Sequence, residues 1–383
     1  MTKKASTPST KNAFVMIGAA ALVAGAAFVL AYGALPELMS VSYSRTAATS
    51  TQAAVPKGPP PPPPLDTTAY NLKLLALAHV ATSSPWYAAF LQGTTTVTLP
   101  NATTSVHVAK KPWPVSAAYP RDSRALLPFN RIVAYYGNFY AKGMGVLGQY
   151  PPEEMVTRLK NAAAQWRTAD PSTPVIPAIH YIAVVAQGSA GKDGKYRTRM
   201  PDSQVEQALA LAKEVDGVVF LDIQVALSDV QTEVPMLENF WKLPNVHLGL
   251  DPEFAMHNGT PPGKVIGSLD ADDINWAIQY LSALVRQYDL PPKILVIHRF
   301  THDMLTGYQR IKPTPEVQVV VDMDGWGGQA KKQGTYNNVI APEPVQFTGF
   351  KLFYKNDVLD GTTMLTPPQV LELTPAPIYI QYQ

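Results

Sequence analysis

Val218-Val219-Phe220-Leu221-Asp222-Ile223-Gln224 and Val246-His247-Leu248-Gly249-Leu250-Asp251-Pro252-Glu253 decide the fold of this chain. Each is a short apolar strand that ends in carboxylates, and a helix-patterned connection, 229–243, separates them. Alternate side chains of a strand point the same way. Leu221 and Ile223 therefore share one face, and Phe220, Asp222 and Gln224 the other. In the second strand Val246, Leu248 and Leu250 oppose His247, Gly249 and Asp251, and continued extended geometry adds Glu253 to the polar face. Both strands deliver acids at their C-terminal ends, where α/β barrels and open α/β sheets keep their chemistry.

The same rhythm extends in both directions. Strand-like runs recur at 132–137, 175–182, 218–224, 246–251, 294–298, 317–322, 350–354 and 378–381, and helical patterns at 152–168, 202–215, 229–241 and 271–289 separate several of them. Strands that alternate with helices imply parallel pairing through βαβ crossovers. Eight such strands over 131–383 predict an α/β fold, a (β/α)8 TIM-like barrel. Its late units are irregular: 301–315 leaves room for only a short helix, 325–346 reads as a long glycine-containing loop, and 356–373 is rich in Thr and Pro. A doubly wound open sheet is the alternative. Its phosphate loop would have to be the glycine run 142–148, which lies well before the next helix and lacks an acidic ribose binder.

Composition and the N-terminus bound the rest. Of the 383 residues 46% are hydrophobic, enough for a sizeable core, and the net charge of +2 gives no reason to expect nucleic acid. The absence of cysteine excludes disulfides, thiolate metal sites and a cysteine nucleophile. Lys3, Lys4 and Lys11 precede an almost wholly apolar run at 13–35. About 20 such residues span a bilayer, and the positive flank keeps the N-terminus in the cytoplasm. Residues 1–12 thus read as a cytoplasmic N-terminus and 13–35 as a single-pass membrane anchor, with a cleaved signal peptide as the rival. The Ser/Thr/Pro-rich linker, 36–65, ends in six consecutive prolines, Pro59 to Pro64, a stiff polyproline II spacer. Residues 66–130 form an N-terminal extension, with a helix at 70–81 and a hairpin about Pro100-Asn101, packed on an extracytoplasmic barrel.

The barrel register collects polar groups at the strand ends: Tyr135 and Tyr136, His180, Asp222 and Gln224, Asp251 and Glu253, His298 and Arg299, Asp322 and Asp324, Lys351 and Tyr354, and Tyr379 and Gln381. Clustered carboxylates raise one another's pKa, and a fold tolerates them mainly where they work. Two chemistries suit such a cluster. In glycoside hydrolysis one carboxyl protonates the leaving oxygen and a second attacks or activates water. Glu253 is the expected acid beside Asp251, with Asp222, Asp322 or Asp324 as its partner. Tyr135, Tyr136, His180, Gln224, His298, Trp326, Lys351 and Tyr379 are the expected substrate contacts, with Trp326 as a stacking platform. Metal-assisted hydrolysis would instead draw on His180, His298, Asp222, Asp251 and Asp322. No His-x-His pair falls on a strand end, and His298-x-x-x-His302 straddles a strand end and a loop, so the expected site carries no metal and no cofactor.

Leu250-Asp251-Pro252-Glu253 resembles the Asp-x-Glu signature of barrel glycosidases such as the family-25 muramidases and family-18 chitinases. That resemblance implies Glu253 as proton donor and Asp251 in support. The chain departs from both families. Tyr135-Tyr136 stands where family 25 places an acid, and Gly249 where the chitinase motif has one. The expectation is a membrane-anchored, outward-facing glycoside hydrolase acting on a cell-envelope or extracellular polysaccharide. The alternative is a non-catalytic carbohydrate-binding or structural surface protein.

Overall fold

A computed structural model describes residues 60–81, 83, 96–97, 107–108 and 118–383, within one compact unit, Pro60–Gln383. Eight parallel strands close into a barrel: β1 Arg131–Gly137, β2 Val175–Ala186, β3 Val218–Ile223, β4 Val246–Leu250, β5 Lys293–Arg299, β6 Val317–Met323, β7 Phe347–Leu352 and β8 Tyr379–Tyr382. Each pairs with its sequence neighbour, and β8 closes on β1 through Tyr379 opposite Ile132. This is the expected (β/α)8 architecture; no open edge remains for a doubly wound sheet.

The period of two sorts the strands as the sequence implies. Val219, Leu221 and Ile223 face outward into a shell that they share with Met155, Leu159 and Trp166. Val218 and Phe220 face inward, with Ile132, Ala134, Ala178, Ile294, Val296, Val320 and Phe347. The main helices after α1 Thr67–Leu77 are α2 Pro152–Ala169, α3 Asp202–Glu214 and α4 Ala271–Gln287. α4 opens on a capping box, in which Asp270 accepts from the Asp273 amide while the Asp273 carboxylate accepts from the Asp270 amide.

α1 belongs to the extension and plugs the N-terminal mouth of the barrel. Its Tyr70, Leu74 and Ala78 pack with Leu127 on Ile132, Val218, Ile294 and Phe347, all near the starts of their strands. Thr96–Val97 pairs antiparallel with His107–Val108, and the turn expected about Pro100-Asn101 lies outside the described residues.

Three stretches differ from the sequence expectation. The connection 229–241 is not one helix. Pro235 lacks an amide proton, and the segment breaks into helical Val230–Glu233, a 3-10 turn Val234–Leu237 and helical Glu238–Trp241. The supposed loop 325–346 holds a helix, α5 Gln329–Thr335, continued by a π-helical turn Tyr336–Ile340. β7 begins at Phe347 and ends at Leu352, so Tyr354 lies beyond it. Among the described residues no helix is long and apolar enough to cross a membrane. The anchor expected at 13–35, the cytoplasmic segment 1–12 and the linker up to residue 59 lie outside the described residues.

Candidate functional site

The C-terminal ends of the strands surround a cleft of about 600 Å³. Its lining includes Asp251 and Glu253 after β4, Asp324 after β6, Lys351 of β7, Tyr136 of β1 and Gln224 after β3. Trp326 stands on its rim, 49% exposed. Glu253 is placed by a 3-10 turn, Pro252–Phe254, which Asp251 caps by accepting the Glu253 amide at 3.3 Å. The other Asp251 oxygen accepts from Gln224 Nε2 at 3.0 Å, and Gln224 Oε1 accepts from the Ala186 amide. Asp324 is held by Lys351 Nζ at 2.8 Å. Lys351 also lies 4.0 Å from the centre of the Tyr136 ring, a cation–π contact.

Electrostatics separates the cleft acids. Burial, reinforced by the Asp324 charge, pushes the Glu253 carboxyl up to about 7, with Lys351 and His298 opposing. Burial also raises Asp251, against the pull of His298, and Asp222 and Asp324 add to the rise. The Asp324 carboxylate, by contrast, has a lysine at contact distance. A carboxyl still partly protonated near neutrality, in one cleft with a carboxylate that has a cation at contact distance, is an arrangement that acid–base chemistry can use.

One layer deeper lies a buried polar belt that the alternation of the strands builds. Asp222 pairs in register with Gly249, and Asp322 with both His298 and Gly349. A methyl group on Gly249 would overlap Asp222 and His180, and one on Gly349 would overlap Asp322, so these glycines make the space the acids occupy. Tyr136 donates its hydroxyl to Asp222 Oδ2 at 2.9 Å. His298 Nδ1 lies 3.3 Å from Asp322 and 3.4 Å from Asp324. Burial alone would lower His298, yet Asp222, Asp322 and Asp324 together hold it well above the usual histidine range. Burial lowers His180 to about 4. It would raise Asp222, but the two histidines bring that carboxyl far below the usual range. Asp322 is raised by burial, with His298 opposing. His180 Nδ1 meets Tyr379 Oη at 2.5 Å and Gln381 Nε2 at 3.0 Å.

Of the residues read from sequence, Asp251, Glu253, Asp324, Tyr136, Gln224, Trp326 and Lys351 line the cleft. Asp222, Asp322, His180, His298 and Tyr379 are fully buried in the belt beneath it and do not line it. Tyr135 is a correction. As the neighbour of inward-facing Tyr136 it must face outward, where its hydroxyl meets Tyr354 Oη at 2.9 Å and its ring packs on Tyr382. Tyr354 goes with it. Arg299 also points away, to the carbonyls of Thr301 and His302 and to Glu343. Sequence reasoning missed Phe300, Phe353 and Gln383 in the lining. Each continues the inward parity of its strand by two residues, from His298, Lys351 and Gln381 respectively. Lys331 and Thr335 were hidden because their segment reads as a loop.

The rim is fixed by a buried pair. Lys332 of α5 donates to the carbonyls of Gly325 and Lys351 at 2.8 and 2.6 Å and contacts Asp357 at 3.0 Å. Asp357 in turn accepts the amides of Gly327 and Phe353. The turn that carries Asp324 and Trp326 is thereby tied to β7.

Neither a protein-family model nor a curated protein matches the chain. Solved structures do. A tri-modular endoglucanase of glycoside hydrolase family 5, subfamily 4, is 12% identical with a TM-score of 0.37, over 67% of this chain and 56% of its own. A tri-modular family-5 endo-β-1,4-glucanase from Bacillus licheniformis, complexed with cellotetraose, is also 12% identical with a TM-score of 0.37, over 67% and 54%. A Bacteroides ovatus family-5 xyloglucanase, in complex with a XXXG heptasaccharide, is 10% identical with a TM-score of 0.35, over 75% and 79%. The chain thus spans little more than half the length of the first two. None of the three is a family-25 or family-18 enzyme. Likenesses this distant say nothing about chemistry, which rests on the side chains above.

Proposed function

We propose that this barrel is a glycoside hydrolase in which Glu253 is the general acid and Asp324 the partner carboxylate. The observation that carries the reading is their shared cleft: a carboxyl raised to about 7 stands within the field of a second, lysine-paired carboxylate. Protonated Glu253 gives its proton to the glycosidic oxygen as the bond to the anomeric carbon breaks. Asp324 supports the positive charge that develops there and either attacks that carbon or takes a proton from the attacking water. Gln224 and the Glu253 amide keep Asp251 directed at the turn that positions the acid. Trp326 offers an exposed ring for a sugar to stack on. The substrate proposed is a cell-envelope or extracellular polysaccharide. That assignment is supported by the positive flank and apolar run at 1–35, which would tether the barrel outside the membrane.

The test is release of new reducing ends from a panel of polysaccharides that includes peptidoglycan. Wild type should hydrolyse at least one, and Glu253→Gln and Asp324→Asn should each lose roughly 10²–10⁴-fold in rate. Glu253→Gln with full activity would remove the assignment. Saturable glycan binding with no turnover by wild type would replace the enzyme with a carbohydrate-binding surface protein.

A further inference from the structure

The buried belt carries more polar capacity than its hydrogen bonds use. His180 Nε2, His298 Nε2 and Asp222 Oδ1 are completely buried, and none has a hydrogen-bond partner. Buried polar atoms are almost always paired, so three that converge on one point call for an occupant. Their spacing says which kind. Asp222 Oδ1 is 3.4 Å from His180 Nε2 and 3.5 Å from His298 Nε2, and the three residues' ligand atoms lie within 4.8 Å of one another. A proton shared between imidazolium and carboxylate would draw nitrogen and oxygen to about 2.7–2.9 Å. The edge of a tetrahedron around a cation with bonds of about 2.0–2.1 Å is instead close to 3.4 Å.

We propose that His180 Nε2, His298 Nε2 and Asp222 Oδ1 form a site for a divalent transition cation of the zinc class, one layer beneath the floor of the cleft. The remote atoms of the three side chains have polar neighbours, where the contacts that orient such ligands are made. His298 Nδ1 faces the carboxylates of Asp322 and Asp324. His180 Nδ1 faces Tyr379 Oη and the Gln381 side-chain amide, and Asp222 Oδ2 accepts from Tyr136. Two imidazoles and one carboxylate suit zinc, cobalt or nickel better than magnesium or calcium, which prefer all-oxygen sites. The nearby charges also favour a cation: Asp322 and Asp324 flank His298, while Lys351 pairs with Asp324 and Lys332 with Asp357. Gly249 leaves the space open, because a side chain there would overlap two of the three ligand atoms. Tyr136 joins the site to the cleft, since it both bonds Asp222 and lines the opening. Through His298 the cation would fix Asp324, which makes the ligands positioning residues for the cleft above. The proposal stands whether or not the cleft hydrolyses sugars.

The test uses the full chain, stripped with a chelator and titrated with Zn²⁺ by calorimetry and with Co²⁺ by visible absorption. Wild type should bind one equivalent, with the d–d bands of a four-coordinate nitrogen/oxygen site, and should melt at higher temperature when loaded. His180→Gln should weaken Zn²⁺ binding at least about 100-fold, and Tyr379→Phe, which removes a hydroxyl that meets the remote nitrogen and Gln381, by about 10-fold. His302→Gln should change nothing, because His302 is exposed and bound to Glu343. If His180→Gln does not fold, the wild-type titration still decides. Folded wild type that takes up neither ion would overturn the proposal and leave a proton as the occupant. Binding that survives His180→Gln but falls with His302→Gln would overturn it equally, by placing the ion at the surface.

Discussion

Glu253 carries the first consequence of the geometry, and its sign follows from burial. Its folded carboxyl titrates near 7, above the roughly 4.3 of an unfolded glutamate. The neutral form is therefore favoured in the folded state. The stability it contributes is full below about pH 4 and is lost as pH rises through about 7. Glu253→Gln removes this loss, so the variant should gain on wild type by about 2 kcal/mol between pH 4.5 and pH 8, after a discount for the partial exposure of the side chain. Denaturant unfolding at the two pH values measures it, and a gap that does not widen would place the titration elsewhere. The same group predicts that kcat/KM falls as pH rises through about 7, because an ionised Glu253 has no proton to give. Gly249 is the second residue whose identity is dictated by neighbours. Gly249→Ala should destabilise by about 1–3 kcal/mol, because its methyl overlaps the buried side chains of Asp222 and His180. A thermal melt unchanged from wild type would show that the belt can shift to admit it.

At the scale of elements, what was legible in the sequence was whatever period two encodes. Asp222, Asp251 and Asp324 announce themselves because each stands at inward parity at the end of an apolar strand. The inward direction of His180 and His298 follows from the same count. Depth along the barrel axis was not legible. Parity assigns Asp222 and Glu253 to one side of the sheet but does not say that one is sealed beneath Tyr136 and the other opens to the cleft. Segments in which glycine hides structure were also lost. Gly325, Gly327, Gly328 and Gly334 make 325–346 look like a loop, yet α5 forms there because Lys332 finds three acceptors in the barrel wall. Burial brings that lysine down to about 8, against the opposing pull of Asp357. Asp357→Ala would leave the ammonium with two carbonyls but no counter-charge and the amides of Gly327 and Phe353 without their acceptor, and should cost about 3–5 kcal/mol. Lys332→Met together with Asp357→Leu removes both charges and should recover part of that loss. If the double variant is no more stable than the single one, the amide contacts rather than the ion pair hold the rim.

On the scale of the whole molecule, the barrel is completed by residues that precede it. The strands leave their N-terminal mouth apolar, and Tyr70, Leu74 and Leu127 fill it. The main chain is joined there as well: the Ala376 amide donates to the Leu77 carbonyl at 2.7 Å, and Ser123 to the Pro63 carbonyl at 3.1 Å. The proline tract is therefore a spacer only in part, since Pro63 already belongs to the folded unit, and the functional boundary falls near residue 60 rather than at the first barrel strand. A chain trimmed to 60–383 should unfold in a single cooperative transition. A chain that begins at residue 82 removes Tyr70, Leu74 and Leu75 from the core at once. Large buried side chains contribute roughly 2–5 kcal/mol each, and a domain of this kind holds about 5–15 kcal/mol in total. The shorter chain should therefore lose near-ultraviolet dichroism, bind a hydrophobic dye and aggregate, even though every barrel strand and every cleft residue is retained. Equal melting of the two chains would mean that α1 covers the barrel without closing it, and would move the domain boundary to the strands themselves.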